Sequence, residues 1–196
     1  MRTSYADLLR RHNPPVQAPT LFPDILDDYE RQDGPVSLVL SDVQPGFESC
    51  TEAHVDAVIR QVIIAKQRNW WIIVLEWDGF RKGKTHPRIL AILEGYARCI
   101  SWDKGRNTSG AAQVEMSVDD FRYPSRVFRV VGLNTDECVV ATVNGMLSRF
   151  PLSLIRVIRE ACNTDTGIDD PWVHFPKVCN LAISSETIDS QILTAA

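Results

Sequence analysis

Four short apolar runs, rich in Val and Ile and mostly continuous rather than alternating, constrain the fold of this chain more than any other sequence feature. They lie at residues 36–40, 70–75, 127–131 and 152–158. Continuous apolar runs of this length are typical of strands that are buried on both faces, as in a parallel sheet. Two weaker runs of the same kind lie at 99–102 and 178–183. Together these runs predict about six strands.

Segments with helical periodicity separate the apolar runs. Apolar residues recur on one face of the segments 51–66, 87–97 and 138–150, and a short helix is expected at 185–193. A strand followed by a helix, several times over, predicts an α/β fold with right-handed crossovers. The expected architecture is a Rossmann-like, three-layer α-β-α sandwich around a mostly parallel sheet.

The first 34 residues differ in composition from the rest of the chain. Four prolines lie between positions 13 and 23, and a helical pattern is found only at residues 3–11. We interpret residues 1–34 as an N-terminal arm with a short helix, laid over a single domain that comprises residues 35–196. A chain of 196 residues is long enough for one domain with a substantial core.

Charge and cysteine usage exclude several classes of function. The net charge is −4 and the isoelectric point about 5.6, so the sequence lacks the global basic field of a nucleic-acid-binding protein. Five cysteines without a CxxC pair do not form the pattern of a disulfide framework or a zinc ribbon. The beginning of the chain lacks the apolar stretch of a signal peptide, and no apolar run approaches the ~20 residues that span a bilayer. These features predict a cytoplasmic protein that binds neither nucleic acid nor membranes.

Reactive side chains follow three of the runs, at the points where the strands are expected to end. Asp42 follows the first run, Lys104 follows the weak run at 99–102, and Cys138 follows the run at 127–131. Because parallel α/β sheets bind ligands at the carboxyl ends of their strands, these side chains are expected on one edge. A thiol, a carboxylate and an ammonium have the chemistry of a nucleophile, a base and a charge partner.

Cys138 lies where a strand leads into a helix. We expect Thr135 to cap that helix and Cys138 to lie in its first turn, where backbone N–H groups lack intrahelical acceptors. The helix dipole and a nearby lysine would lower the pKa of the thiol, while Asp136 and Glu137 oppose this unless they point outward. Each residue alone also has a plainer interpretation, as a buried cysteine, a turn aspartate or a solvated lysine.

Three stretches of the sequence are similar to motifs of the isochorismatase-like cysteine hydrolases, a superfamily that includes nicotinamidases, N-carbamoylsarcosine amidohydrolases and ureidoacrylate hydrolases. Residues 39–47 resemble the first strand with its catalytic aspartate, and residues 104–110 resemble the loop that holds the catalytic lysine. Residues 132–139 resemble the nucleophile motif Gly-x-x-Thr-x-x-Cys-Val, which is the most specific of the three. The resemblance covers residues 36–190 and implies the isochorismatase-like hydrolase fold.

The resemblance implies a catalytic triad of Asp42, Lys104 and Cys138. Asp42 would take the proton from Cys138, Lys104 would keep the carboxylate ionised and favour the thiolate, and the sulfur would form a thioester with the substrate. The resemblance also implies an oxyanion hole made by the backbone N–H groups of Asn134 and Cys138, with a cis bond between Leu133 and Asn134. The expected reaction is metal-independent hydrolysis of a C–N bond in a small amide, ureido or carbamoyl compound, without an organic cofactor.

The sequence departs from the family near the expected pocket. Metal-dependent nicotinamidases carry Asp-x-His after the second strand, whereas here Asp78 is followed by Gly79 and Phe80, so we expect no metal site. Phe47, Trp77 and Asp78 follow strand ends and are expected to line the substrate pocket.

Other functions remain open on the sequence alone. A fold relative that no longer catalyses would serve as a binding or scaffold subunit, because fold does not determine function. One branch of the superfamily hydrolyses vinyl ethers such as isochorismate, although the cysteine of this chain argues against that branch. A redox-sensing thiol is a further alternative, although the sequence shows no resolving cysteine near Cys138. Because the family often forms dimers or tetramers, the resemblance also implies a homo-oligomer.

Overall fold

The computed structural model of the protein describes residues 36–79, 81–121 and 125–185. The expected arm at residues 1–34 lies outside the described residues, and so does all but the first residue of the helix expected at 185–193. Within the described part of the chain, no helix is long and apolar enough to cross a membrane.

Six strands form one sheet in which every neighbouring pair is parallel. In chain order the strands are β1 (Val36–Ser41), β2 (Trp71–Glu76), β3 (Cys99–Asp103), β4 (Val127–Leu133), β5 (Leu154–Asn163) and β6 (Leu181–Ser184). Their order in the sheet is β3-β2-β1-β4-β5-β6, with β1 and β4 in the centre. Each apolar run of the sequence contributes one strand, so the prediction of an α/β fold around a parallel sheet is confirmed.

Helices cover both faces of the sheet. They are α1 (Glu52–Gln67), α2 (Pro87–Leu93), α3 (Ala111–Phe121) and α4 (Val140–Arg149), with a π-helical turn at Thr135–Val139 that runs into α4 and a 3-10 turn at Pro171–His174. Helix α2 ends four residues earlier than the periodicity predicts, because Glu94 turns to an extended conformation and Gly95 follows with φ +71°. Helix α3 was not predicted from the sequence.

Successive residues of the central strands face opposite sides of the sheet and bury two separate apolar clusters. Leu38 and Leu40 of β1 pack with Val58 of α1 on one face. Val39 between them packs with Val143 of α4 on the other face. Burying a Leu or Val side chain contributes roughly 1.5–3 kcal/mol each, so both helical layers are held firmly against the sheet. The three-layer sandwich is therefore confirmed, and it fixes the carboxyl ends of the strands along one edge.

Candidate active site

Asp42, Lys104 and Cys138 come from three distant parts of the chain and meet at the carboxyl edge of the sheet. Asp42 directly follows β1, Lys104 directly follows β3, and Cys138 lies in the π-helical turn after β4. Lys104 Nζ lies 2.9 Å from Asp42 Oδ2, and both side chains are 0% exposed. The Cys138 thiol is within interaction range of both groups, since each changes its pKa through charge and hydrogen bonding. The structure thus places together the acid, the amine and the thiol that the sequence singled out.

The Lys104 ammonium is bound on all sides. Besides Asp42 Oδ2, it donates to the backbone carbonyl oxygens of Asn107 and Thr108, each at 2.7 Å. An ammonium has three N–H donors, and each of them here has an acceptor. Three acceptors therefore hold the Lys104 ammonium in place beside the carboxylate.

The Asp42 carboxylate has one oxygen engaged and one free. Oδ2 accepts from Lys104 and, at 3.2 Å, from the Ser41 hydroxyl. Oδ1 is buried and has no hydrogen-bond partner among the described residues, so it is the acceptor available to the thiol proton. Burial raises the pKa of Asp42 above its ordinary value, and Lys104 opposes that shift through its charge and its hydrogen bond.

The backbone of Asp42 is held in a left-handed conformation, with φ +56°. Its N–H donates to Leu75 O at 2.9 Å, and its carbonyl accepts from Gln44 N at 2.7 Å. A non-glycine residue with this conformation costs about 1–2 kcal/mol, and such residues persist where surrounding contacts determine them. These contacts fix the backbone from which the carboxylate reaches Lys104 Nζ.

Burial favours the protonated form of the Cys138 side chain. Burial raises the pKa of Cys138 to about 12, the Asp42 carboxylate adds to this effect, and Lys104 opposes it. Lys104 therefore acts on the thiol in the expected direction, but burial together with the Asp42 carboxylate outweighs it. The physical reason is that the lysine charge is already compensated by Asp42, while desolvation penalises the thiolate fully.

The turn that carries Cys138 begins one residue earlier than predicted. Asn134, with extended backbone (φ −82°, ψ 144°), holds the position before the first turn. Thr135 is not the cap: it is buried inside the turn, and its hydroxyl donates to Asn163 O at 3.0 Å. The peptide bond between Leu133 and Asn134 is cis, as the resemblance implies. Single π-helical turns of this kind are frequent at functional sites.

The two acidic residues before Cys138 point away from it. Asp136 accepts hydrogen bonds from the hydroxyls of Thr164 and Thr166, and Glu137 is exposed. Neither carboxylate is among the main causes of the raised pKa of the thiol. Asp136 instead joins the loop after β5 to the π-helical turn that carries Cys138.

The residues expected to line the pocket lie on two loops that one glutamine joins. Gln44 is fully buried; its Nε2 donates to Trp77 O at 3.0 Å, and its Oε1 accepts from Trp77 N at 2.8 Å. The rings of Phe47 and Trp77 lie 6.0 Å apart, and the Lys82 ammonium lies 4.2 Å from the Phe47 ring centroid. Asp78 is exposed, unlike Phe47, which is 8% exposed. A substrate-lining role for Phe47, Trp77 and Asp78 stays a prediction.

Metal-ligating residues do not cluster in the described part of the chain. No group of three or more His, Cys, Asp or Glu side chains there is arranged to hold an ion. Glu76, at the end of β2, is instead occupied by Lys84 Nζ at 2.9 Å and by the Thr85 hydroxyl and N–H, each at 2.8 Å. His86 caps α2 by accepting from Arg88 N at 3.4 Å.

Two buried polar residues, Ser49 and His54, and the half-buried Asn163 contact segments around the turn that carries Cys138 and were not singled out from the sequence. Ser49 Oγ donates to Asn134 Oδ1 at 2.7 Å, and Asn163 Nδ2 donates to Ser49 O at 2.8 Å. His54 Nε2 contacts Ala161 O at 3.1 Å. These partners are 85, 114 and 107 residues apart in the chain, so no local motif could indicate the contacts.

Comparison with known proteins gives matches by structure alone. No family model and no curated protein matches the sequence. The structure is similar to the nicotinamidase/pyrazinamidase PncA from Bacillus subtilis (TM-score 0.63, 13% identity, 76% of this chain and 98% of that one). It is also similar to YcaC from Pseudomonas aeruginosa (TM-score 0.61, 18% identity, 77% of this chain and 76% of that one).

A third similar structure is the MAR1 ribonuclease from Caenorhabditis elegans (TM-score 0.57, 20% identity, 66% of this chain). The match spans 65% of that protein's chain. At identities of 13% to 20%, what is shared is the architecture. On that ground, and on its wholly parallel six-stranded sheet between helical layers, this chain has the isochorismatase-like α/β fold.

Proposed function

We propose that this protein is a metal-independent cysteine hydrolase that cleaves a C–N bond in a small amide, ureido or carbamoyl compound. The observation that carries the proposal is the solvent-excluded Asp42–Lys104 pair beside the Cys138 thiol. Burying two opposite charges costs several kcal/mol in desolvation, and a pair that adjoins a nucleophile has a chemical use for that cost. Cys138 also belongs to neither apolar cluster of the described residues.

The titration behaviour of the site supports general-base catalysis. Burial raises the pKa of Cys138 to about 12 and so favours a protonated thiol before the reaction, which then needs a base to accept its proton. As Sγ attacks the substrate carbonyl carbon, Asp42 Oδ1 accepts the thiol proton, and Lys104 stabilises the carboxylate before the transfer. The oxyanion that forms is bound by the backbone N–H groups of Asn134 and Cys138.

The second half of the reaction returns the site to its starting state. Asp42 passes its proton to the substrate nitrogen, the C–N bond breaks, and ammonia or an amine leaves behind a thioester on Cys138. Water then attacks the thioester carbonyl while Asp42 accepts a proton from the water. The C–S bond breaks, the acid is released, and the proton returns to the sulfur.

Two of the similar proteins support the chemical class. PncA is a nicotinamidase, and nicotinamide is a small primary amide. The YcaC structure contains covalently bound acrylamide, which is itself a small amide. The missing histidine after Asp78 supports a reaction without a metal ion.

A panel of small amides, ureido acids and N-carbamoyl amino acids, assayed for ammonia release, tests the proposal. Cys138→Ala is expected to lose at least about 10³-fold in turnover, as removal of a covalent nucleophile does. Cys99→Ala, which removes a half-buried thiol at the start of β3, serves as the matched control and is expected to keep wild-type turnover. Turnover retained by Cys138→Ala would exclude the nucleophile assignment, and no turnover of any compound by the wild type would favour a scaffold role.

A further inference from the structure

The loop between β1 and α1 holds the nucleophile turn through one hydroxyl. Ser49 is 3% exposed, and its Oγ donates to Asn134 Oδ1 at 2.7 Å. Its own carbonyl accepts from Asn163 Nδ2 at 2.8 Å, at the end of β5. Ser49 is therefore anchored to the sheet on one side and holds Asn134 on the other.

Asn134 has its acceptors engaged and its backbone donor available. The Asn134 side-chain carbonyl is bound by Ser49, and its backbone carbonyl accepts from Glu137 N at 3.2 Å and from Val139 N at 3.0 Å. Among the described residues, no acceptor is found for the backbone N–H of Asn134. Because Asn134 is 5% exposed, that N–H lies in a protected environment, where a hydrogen bond to a developing oxyanion is strong.

We propose that Ser49 is a positioning residue for the oxyanion hole: its hydroxyl fixes the Asn134 amide and thereby the direction of the Asn134 N–H. The inference rests on the proposed hydrolase function. An oxyanion donor contributes most when it is already oriented before the charge develops. Asn134 lies between a strand end and a helical turn, and the Ser49 contact joins its side chain to the opposite loop.

The Ser49 hydroxyl and the Asn134 amide act as one unit in this arrangement. Ser49→Ala removes the hydroxyl and leaves the Asn134 amide only its 3.5 Å hydrogen bond to Glu137 Oε2, whereas Asn134→Ala removes the amide and keeps the backbone N–H. Both variants are expected to lower kcat about 10-fold with KM changed less than about twofold, since an oriented donor acts in the transition state. The double variant is expected to lose no more than the larger single loss, because the two residues share one contact.

Two further variants separate positioning from folding. Ser49→Thr keeps the hydroxyl and is expected to restore kcat to within about threefold of wild type. Ser153→Ala removes another buried hydroxyl, which donates to Ser125 O at 3.2 Å at the amino end of β5, and is expected to leave kcat unchanged. Hydrogen exchange gives a readout that does not depend on activity: Ser49→Ala is expected to speed exchange in a peptide covering residues 133–138, and Ser153→Ala is not.

The outcomes distinguish this inference from the proposed function. If the wild type shows no Cys138-dependent hydrolysis, the proposed function fails, and the exchange comparison alone decides whether Ser49 orders the turn. If Ser49→Ala leaves both kcat and exchange at 133–138 unchanged, the inference is overturned. The inference is also overturned if Ser153→Ala lowers kcat and speeds hydrogen exchange at residues 133–138 as much as Ser49→Ala does.

Discussion

Lys104 Nζ and Asp42 Oδ2 form an ion pair of 2.9 Å in which neither side chain is exposed to solvent. A second pair in the protein, Lys84 with Glu76, has the same length of 2.9 Å, but its lysine side chain is 72% exposed. The two pairs therefore differ in burial while their geometry is matched. Since desolvation and not distance decides what an ion pair contributes, they are expected to respond very differently to loss of the lysine.

Lys104→Met is expected to lower the free energy of unfolding by about 3–5 kcal/mol, because it leaves the Asp42 carboxylate buried and uncompensated. Lys84→Met is expected to lower it by about 0–1 kcal/mol, since solvent screens that pair. Urea unfolding at neutral pH measures both. Combining Lys104→Met with Asp42→Asn is expected to recover part of the loss, and equal effects of the two lysine variants would contradict the burial argument.

The pH dependence of hydrolysis tests which group takes the thiol proton. Asp42 works as a base only when ionised, and burial raises its pKa above the ordinary value of 3.8. The value of kcat/KM is therefore expected to rise with pH as Asp42 ionises, and the midpoint of this rise is expected to lie above pH 3.8. Because the pKa of Cys138 is raised to about 12, no second rise is expected near the ordinary thiol value of 9.0.

Rate measurements with a reactive amide from pH 4 to pH 10 provide the profile. A second rise centred near pH 9 would show that free thiolate, and not the Asp42–thiol pair, is the attacking form. Asp42→Asn is expected to remove the acid limb together with most of the activity, because an amide cannot accept the proton.

The sheet was predictable from sequence because its strands are buried on both faces and appear as continuous apolar runs. Helix α3 was not predictable because its buried apolar positions, Ala111, Val114 and Val118, are small and few among polar neighbours. Helix α2 ends just before Gly95, which has a left-handed conformation. The apolar pattern continues past Gly95 and therefore predicts a longer helix.

The positions of Asp42, Lys104 and Cys138 after strand ends, together with the family resemblance, were enough to place the candidate site. Its protonation state was not predictable, because it depends on how deeply three segments from different parts of the chain bury one another. For the same reason no local sequence pattern indicates Ser49, because its proposed role depends on a contact with Asn134, 85 residues away.

The buried His54 is expected to make the protein less stable as pH falls. Burial lowers the pKa of His54 to about 4 from its ordinary 6.5, against the opposing effect of backbone bonds at Ala161 and Gly132. Between pH 6.5 and pH 4 the unfolded chain binds a proton that the folded protein does not, so this group destabilises the fold as pH falls through that window. The full contribution is about 3 kcal/mol.

Urea unfolding at pH 7.5 and at pH 5 measures the effect. His54→Gln is expected to lose less stability between these two pH values than the wild type does. His86→Gln, which changes the histidine that caps α2, is the control and is expected to keep the wild-type difference. An unchanged pH dependence in His54→Gln would contradict the assignment to His54.

Gly132 allows β1 and β4 to lie close together. This closeness brings Asp42 next to the π-helical turn that carries Cys138. A Cβ at Gly132 would lie 2.0 Å from Ser41 O, a backbone atom that cannot move aside, whereas a Cβ at Gly95 would meet nothing within 4 Å. Both glycines have positive φ, at +142° and +71°. Gly95→Ala therefore carries only backbone strain and is expected to cost about 1–2 kcal/mol of unfolding free energy. Gly132→Ala adds a collision to that strain and is expected to cost more than about 4 kcal/mol. Urea unfolding of the two variants under the same conditions tests this expectation. Similar losses of unfolding free energy would mean that β1 and β4 do not need to lie so close.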